Sequence, residues 1–127
     1  MPNSPIKVYI VDDEPSVCTA YARLARSARM EPQVFTSVEE FIHSEFSDKN
    51  ACVVSDIQMS GISGLDLPGL LTRGGHHLPV IFVTAHDTPE MRDRAQSAGA
   101  AAYFCKPVDA QALLDAIAWA LSGPRPA

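Results

Sequence analysis

The strongest constraint on this chain is a set of short apolar runs, each of which ends in or is soon followed by a polar side chain. The clear runs are IKVYIV at 6–11, CVVS at 52–55, PVIFVT at 79–84 and AAYF at 101–104. Nearly continuous apolar runs of this length are typical of parallel strands that are covered on both faces. A weaker candidate is PQVF at 32–35. The pattern therefore predicts a parallel sheet of five strands.

Helical patterns fill the segments between these runs. In the first segment an apolar stripe repeats at steps of four, three and four residues: Val17, Tyr21, Leu24 and Ala28. Ser37 and Glu40 form a capping box that predicts the start of a short second helix carrying Phe41 and Ile42. A third helix is expected from Leu65 to about Thr72, where Pro68 is tolerable only in the first turn.

The last two helices have clearer end signals. Asp87 and Glu90 predict the start of the fourth helix, and Gly99 predicts its end. Asp109 can cap a fifth helix, whose inner side carries Leu113, Leu114, Ile117 and Leu121. Strict alternation of strand and helix predicts an α/β fold, a doubly wound parallel sheet with helices on both faces. The 127 residues suit one domain over 1–121, with SGPRPA at 122–127 as a linker or C-terminal tail.

Composition excludes several classes of function. The net charge is −5 and the ten basic residues are scattered, which argues against a nucleic-acid-binding surface. No apolar run approaches the roughly 20 residues that span a bilayer, and the N-terminus does not read as a secretory signal. The three cysteines have no C-x-x-C spacing, which favours free thiols in a reducing cytoplasm.

Polar residues at the strand ends predict a site. They are Asp12, Asp13, Asp56, Thr84 and Lys106. Ligands of open α/β sheets bind beyond the carboxyl ends of the strands, so these side chains should converge. Clustered carboxylates raise one another's pKa, and Mg²⁺ relieves that repulsion. A lysine and a hydroxyl beside them suit a phosphoryl group that passes to a carboxylate. Each residue alone is also ordinary turn chemistry, and it is their joint placement that favours a site.

Four motifs in order resemble those of a known family. They are VDDE at 11–14, SDIQMSGISG at 55–64, VTAHD at 83–87 and YFCKP at 103–107. Together they resemble the receiver domain of bacterial two-component response regulators over about residues 5–121. SGLDL at 63–67 and LPVIFVTAH at 78–86 are most similar to FixJ-like receivers. The resemblance implies a flavodoxin-like, CheY-like sheet with five helices and strand order 2-1-3-4-5.

The resemblance also implies a role for each matching residue. Asp56 would accept the phosphoryl group, Lys106 would pair with a phosphate oxygen, and Thr84 would donate its hydroxyl and move toward the phosphate. Tyr103 would turn inward in concert, and the bond between Lys106 and Pro107 would be cis. The Mg²⁺ ligands would be Asp13, Asp56 and the main-chain carbonyl of Gln58, with Asp12 acting through water. Gln58 and His86 would tune how fast the phosphate is lost.

The implied function is a phosphorylation-dependent switch. A sensor histidine kinase would phosphorylate Asp56, and the face built from helix 4, strand 5 and helix 5 would then bind an output partner or a second copy. Such a chain is not an enzyme beyond self-phosphorylation and slow self-dephosphorylation, and transcriptional regulation is implied for the full system. It would be cytoplasmic, with no nucleic-acid or membrane contact of its own.

Two other functions are alternatives to this one. An aspartyl-phosphate phosphatase of the haloacid dehalogenase type needs D-x-D, but Gln58 stands where the second aspartate would be. A receiver-like module that is no longer phosphorylated is disfavoured by retention of all five polar positions.

Several residues carry weaker signals. Ser60 stands where the family usually has proline, which predicts a slightly more mobile loop without loss of the metal site. Adjacent His76 and His77 lack the spacing of a metal site on a helix. Cys105 is expected to be a small core residue rather than a redox-sensitive thiol. Trp119 is expected to be a packing residue, with a partner-facing role as the alternative if it is exposed.

Overall fold

The computed structural model of the chain describes residues 5–122. The strands are β1 Lys7–Val11, β2 Glu31–Phe35, β3 Ala51–Asp56, β4 Val80–Thr84 and β5 Ala102–Cys105. The α-helices are α1 Pro15–Ser27, α2 Val38–Ile42, α3 Leu67–Arg73, α4 Pro89–Ala98 and α5 Ala110–Ser122, and a 3-10 turn at Gly64–Asp66 precedes α3. All strand pairs are parallel in the order β2-β1-β3-β4-β5, which confirms the predicted fold and strand order.

The sheet is covered on both faces. Because successive side chains of a strand point to opposite faces, alternate residues of β1, β3 and β4 enter two separate cores. One core joins the sheet to α2, α3 and α4 through buried residues such as Phe41, Phe82 and Leu71. The other joins it to α1 and α5 through buried residues such as Ile10 and Ile117. This double burial explains why the strands are almost continuous apolar runs.

The buried face of α1 differs from the predicted one. The residues buried on this helix are Cys18, Ala22 and Ala25, whereas the predicted stripe is only partly buried. The small side chains face the sheet and allow the helix to lie close to it. Larger side chains such as Tyr21 and Leu24 therefore flank the contact instead of filling it.

The helix-start signals were right for two helices and wrong for one. The Ser37 hydroxyl accepts from the Glu40 N–H at 3.0 Å, and the Asp109 carboxylate accepts from the Ala112 N–H at 2.9 Å. Pro68 lies in the first turn of α3, where it is tolerated. The predicted start of α4 at Asp87 is wrong, because the hydroxyl of Thr88 caps this helix through the Met91 N–H at 3.0 Å.

Two side chains predicted to pack are instead exposed. Cys105 lies at the exposed end of β5, and Trp119 on α5 is 62% exposed. β5 is an edge strand, so its last residue has no neighbouring strand on one side. Trp119 lies off the stripe of α5 that Leu113 and Ile117 direct into the core.

One prediction concerns the C-terminal end of the chain. The linker or tail predicted at 122–127 lies outside the described residues except for Ser122, the last residue of α5. Within residues 5–122, none of the helices is long and apolar enough to cross a bilayer.

Candidate phosphoacceptor site

The five predicted polar residues stand at one edge of the sheet. Asp12 and Asp13 directly follow β1, Asp56 and Thr84 end β3 and β4, and Lys106 directly follows β5. Parallel strands bring their carboxyl ends to the same edge, which is why residues so far apart in sequence can meet. Asp12 is 1% exposed and Asp56 is 8% exposed, so two carboxylates sit at the floor of the site.

Three carboxylates form what we call the acidic cluster: Asp12, Asp13 and Asp56. Each offers an oxygen, and these oxygens all lie within 4.8 Å of one another. Backbone N–H groups hold the two buried members in place. Asp12 Oδ1 accepts from the Glu14 N–H at 2.9 Å, and Asp56 Oδ1 accepts from the Ile57 N–H at 2.8 Å. The other oxygen of each of these two carboxylates, Oδ2, lies within reach of Lys106.

Lys106 joins the acidic cluster from the other side. Its Nζ lies 3.0 Å from Asp12 Oδ2 and 3.4 Å from Asp56 Oδ2. Although desolvation disfavours the ammonium, the bond to Asp12 and the charge of Asp56 raise the pKa of Lys106 above its usual value. The lysine is therefore a fixed positive charge at this site. The peptide bond between Lys106 and Pro107 is cis, as the resemblance implied.

The surroundings of Asp56 disfavour the ionised form of its carboxyl group. Burial raises the pKa of this carboxyl, and the charge of Asp12 raises it further, while Lys106 and the Ile57 N–H act in the opposite direction. A hard divalent cation among three carboxylate oxygens relieves this repulsion. The donor set therefore fits Mg²⁺, in a cluster of carboxylates with one ammonium alongside.

The loop after Asp56 is packed tightly beneath the site. The Gly64 N–H donates to the Ile57 carbonyl at 2.9 Å, which folds the chain back on itself. A Cβ on Gly64 would stand 2.0 Å from the Asp56 carbonyl oxygen, so no other residue fits there without movement. The Ser60 N–H donates to Asp13 Oδ2 at 3.4 Å, a contact that proline could not make.

The hydroxyl of Thr84 is engaged within its own loop. Thr84 is completely buried, and its Oγ1 accepts from the His86 N–H at 3.1 Å. Because Oγ1 only accepts in this bond, the hydroxyl keeps its own hydrogen to donate to a second acceptor. His86 and Gln58 are both exposed, and each lies two residues after the end of its strand, β4 and β3 respectively.

Tyr103 makes a contact that the sequence did not predict. Its hydroxyl donates to Asp87 Oδ1 at 3.0 Å. Asp87 also accepts two bonds of 2.8 Å from the Arg92 guanidinium, through Nε and Nη2. The available signal was an aspartate five residues before an arginine at a helix start, which we assigned to capping.

Far from this site, the adjacent histidines have a structural partner. His76 Nδ1 lies 2.7 Å from Asp48 Oδ1, and the His77 N–H donates to Asp48 Oδ2 at 3.1 Å. These contacts join the loop before β3 to the loop before β4, at the edge of the sheet opposite the acidic cluster.

Comparison with known proteins agrees with the geometry. The family described as "Response regulator receiver domain" matches residues 8–118. Nodulation protein W of Bradyrhizobium diazoefficiens is 37% identical over 110 residues, which cover 87% of this chain and 48% of that protein. Transcriptional regulatory protein TdiR of Thauera aromatica is 36% identical over 115 residues, which cover 91% of this chain and 51% of that protein.

The chain thus spans about half the length of the curated relatives it matches. Among solved structures, the crystal structure of FixJ-N superimposes with a TM-score of 0.84 at 27% identity, covering 98% of this chain and 100% of that one. A family match over most of the chain and the FixJ-like fold agree with the acidic cluster and its lysine. The chain therefore belongs to the response regulator receiver domain family of two-component systems.

Proposed function

We propose that this chain is a phosphorylation switch in which Asp56 accepts a phosphoryl group from a sensor histidine kinase. The observation that carries the proposal is the position of Asp56, which stands at the sheet edge within the acidic cluster and 3.4 Å from Lys106. In the transfer, an Asp56 carboxylate oxygen forms a bond to phosphorus while the bond from phosphorus to the donor's imidazole nitrogen breaks. The phosphoryl group leaves the kinase histidine, and no oxidant or further reactant is needed.

The residues suited to hold Mg²⁺ are Asp13, Asp56 and the main-chain carbonyl of Gln58, with Asp12 acting through water. When bound, the ion would neutralise charge on the phosphoryl oxygens. Lys106 supplies the second positive charge, because its ammonium already points between Asp12 and Asp56. Gln58 and His86 are exposed at the rim, where they can influence how water reaches the acyl phosphate.

Thr84 and Tyr103 are the proposed switch residues. The added negative charge on the phosphorylated Asp56 attracts the Thr84 hydroxyl, and movement of this side chain toward it lengthens the bond from the His86 N–H. The loop after β4 then moves, and the face of α4, β5 and α5 changes with it. That face would bind a second copy or an output domain.

The role in the full protein follows from the length difference. We propose that residues 1–121 are the receiver domain and that 122–127 begin a linker to an output domain, because the relatives are about twice as long. Relatives named as transcriptional regulatory proteins make gene regulation the proposed output. The receiver itself would make no direct contact with nucleic acid, and its own chemistry would be limited to gaining and losing one phosphoryl group.

Intact mass spectrometry tests the phosphoacceptor. The protein is incubated with Mg²⁺ and acetyl phosphate, beside the variants Asp56→Asn and Asp93→Asn. Asp93 is an exposed residue of α4, so its variant controls for the loss of one carboxylate elsewhere. We expect one labile adduct in the wild type and in Asp93→Asn, and none in Asp56→Asn.

Two results would contradict the proposal. Equal adducts on the wild type and Asp56→Asn would place the phosphoryl group on another residue. Steady hydrolysis of unrelated phosphomonoesters would instead favour the phosphatase alternative.

A further inference from the structure

Asp87 connects three parts of the molecule that are separate in sequence. It lies in the loop after β4, it accepts both bonds from Arg92 of α4, and it accepts the hydroxyl of Tyr103 from β5. The carboxylate is not needed as a helix cap, because Thr88 fills that role. Its side-chain contacts are therefore tertiary ones. One of them is made with Tyr103, which is proposed to move when the switch operates.

The same loop reaches back to the site of phosphorylation. Thr84 Oγ1 accepts from the His86 N–H at 3.1 Å, and Asp87 is the next residue along the chain. If the Thr84 side chain moves toward a phosphate, its Oγ1 draws away from the His86 N–H and this bond weakens. The backbone is then held less firmly at His86, the residue directly before Asp87.

We propose that Asp87 is a positioning residue that holds Tyr103 where it lies before Asp56 is phosphorylated. Through the same loop, Asp87 links this position of Tyr103 to the position of Thr84. The inference rests on the proposed function, because it assigns the contact that the switch must break. Arg92 acts through Asp87: its two parallel bonds fix the orientation of the carboxylate that receives the phenol.

The charges around this contact keep it intact at neutral pH. The bond from Arg92 and the bond from Tyr103 hold the pKa of Asp87 below its usual value, so it stays a carboxylate. Desolvation and the bond to Asp87 raise the pKa of Tyr103 to about 12, so it stays a donor. Cys105 is the other titratable group near the phenol, and its charge would also raise that pKa.

NMR of protein with ¹³C-labelled tyrosine rings tests the inference. The chain has three tyrosines, and Tyr103→Phe assigns the signal that matters. Spectra are recorded for wild type, Asp87→Ala, Arg92→Ala and the matched control Asp93→Ala, with and without Mg²⁺ and acetyl phosphate. Intact mass on the same samples reports whether the phosphoryl group was taken up.

In the unphosphorylated protein, Asp87→Ala should move the Tyr103 signal toward the chemical shift that it has in the phosphorylated wild type. The same variant should lower the midpoint of the Tyr103 titration. Arg92→Ala should do the same to a smaller extent, and Asp93→Ala should match the wild type. Loss of one hydrogen bond that holds the resting state should raise the initial rate of phosphoryl uptake by about two- to tenfold. A merely structural contact would also lower this midpoint, because the Asp87 carboxylate itself disfavours the phenolate. It would neither move the Tyr103 signal toward its shift in the phosphorylated protein nor raise the rate of phosphoryl uptake.

The outcomes separate this inference from the proposed function. A Tyr103 signal in unphosphorylated Asp87→Ala that does not move toward its shift in the phosphorylated protein would overturn the inference, whatever the mass spectrum reads. A phosphoryl adduct that leaves the wild-type Tyr103 signal unmoved would also overturn it. Absence of any adduct would instead refute the proposed function, while the unphosphorylated spectra would still test whether Asp87 positions Tyr103.

Discussion

Replacing Asp56 with asparagine should stabilise the unphosphorylated, metal-free protein. With an effective dielectric constant of about 20, unit charges 4.8 Å apart repel by about 3.5 kcal/mol, and the oxygens of the acidic cluster lie within that distance. By the same relation, Lys106 at 3.4 Å attracts Asp56 by about 5 kcal/mol. Repulsion from the two neighbouring carboxylates and the cost of burial together outweigh this attraction. Of these two carboxylates, Asp13 is the more exposed, so its repulsion is better screened. We expect a net gain of about 1–2 kcal/mol.

The sign of the pH dependence follows from the raised pKa of Asp56. Because this pKa is higher in the folded state than in the unfolded state, folding stability falls as pH rises from the unfolded value through the folded one. The penalty is fully present once the pH exceeds the folded pKa, and the asparagine variant avoids it. In acid, where Asp56 is protonated in both states, the advantage of the variant should disappear.

Thermal unfolding by circular dichroism measures the effect. At pH 7 without divalent cations, Asp56→Asn should raise the Tm by about 3–8 °C, whereas the control Asp93→Asn should leave it nearly unchanged. Adding Mg²⁺ should stabilise the wild type more than the variant. A variant no more stable than the wild type at pH 7 would refute the reasoning, because attraction by Lys106 would then exceed repulsion and burial.

Four further substitutions, one of which is a control, test the packing and charge around the site. Gly64→Ala should cost about 3 kcal/mol or more in urea unfolding, because its Cβ meets backbone at 2.0 Å. Gly69→Ala, which meets only a flexible side chain at 3.5 Å, should instead stabilise by about 0.5–1 kcal/mol, and equal effects would contradict the packing argument. Lys106→Met should cost about 2–3 kcal/mol at pH 7 and less in acid, where the acidic cluster loses its charge; a loss independent of pH would exclude an electrostatic cause. Ser60→Pro should weaken Mg²⁺ binding by about two- to threefold in calorimetric titration, because Asp13 loses a donor, and unchanged affinity would make that bond irrelevant.

The sheet and the acidic cluster could be predicted because both follow from order along the chain. Strands buried on two faces need continuous apolar runs, and parallel strands place the residues that follow them at one edge. Asp56 and Lys106 are 50 residues apart, yet their meeting requires only the correct sheet order. This part of the structure depends on backbone topology, which the pattern of residue types reflects directly.

The contacts between side chains of different elements were harder to predict. Asp87 could have capped α4 as well as Thr88 does, and the choice between them is made by Arg92 and Tyr103. The face of α1 that meets the sheet is likewise set by the fit of small residues such as Ala22 rather than by the largest apolar ones. The alternative caps of α4 and the alternative faces of α1 differ by only a few side-chain contacts. The order of residue types along the chain does not show which of these contacts form.

The exposure of Trp119 gives the chain a fluorescent reporter on one surface. It is the only tryptophan in the sequence, and 62% of its surface is open to solvent on α5. Its indole is already largely hydrated in the folded protein, so unfolding should change the emission wavelength little. Any molecule that covers α5 would remove that water and shift the emission to the blue, which makes assembly on this face measurable without a label.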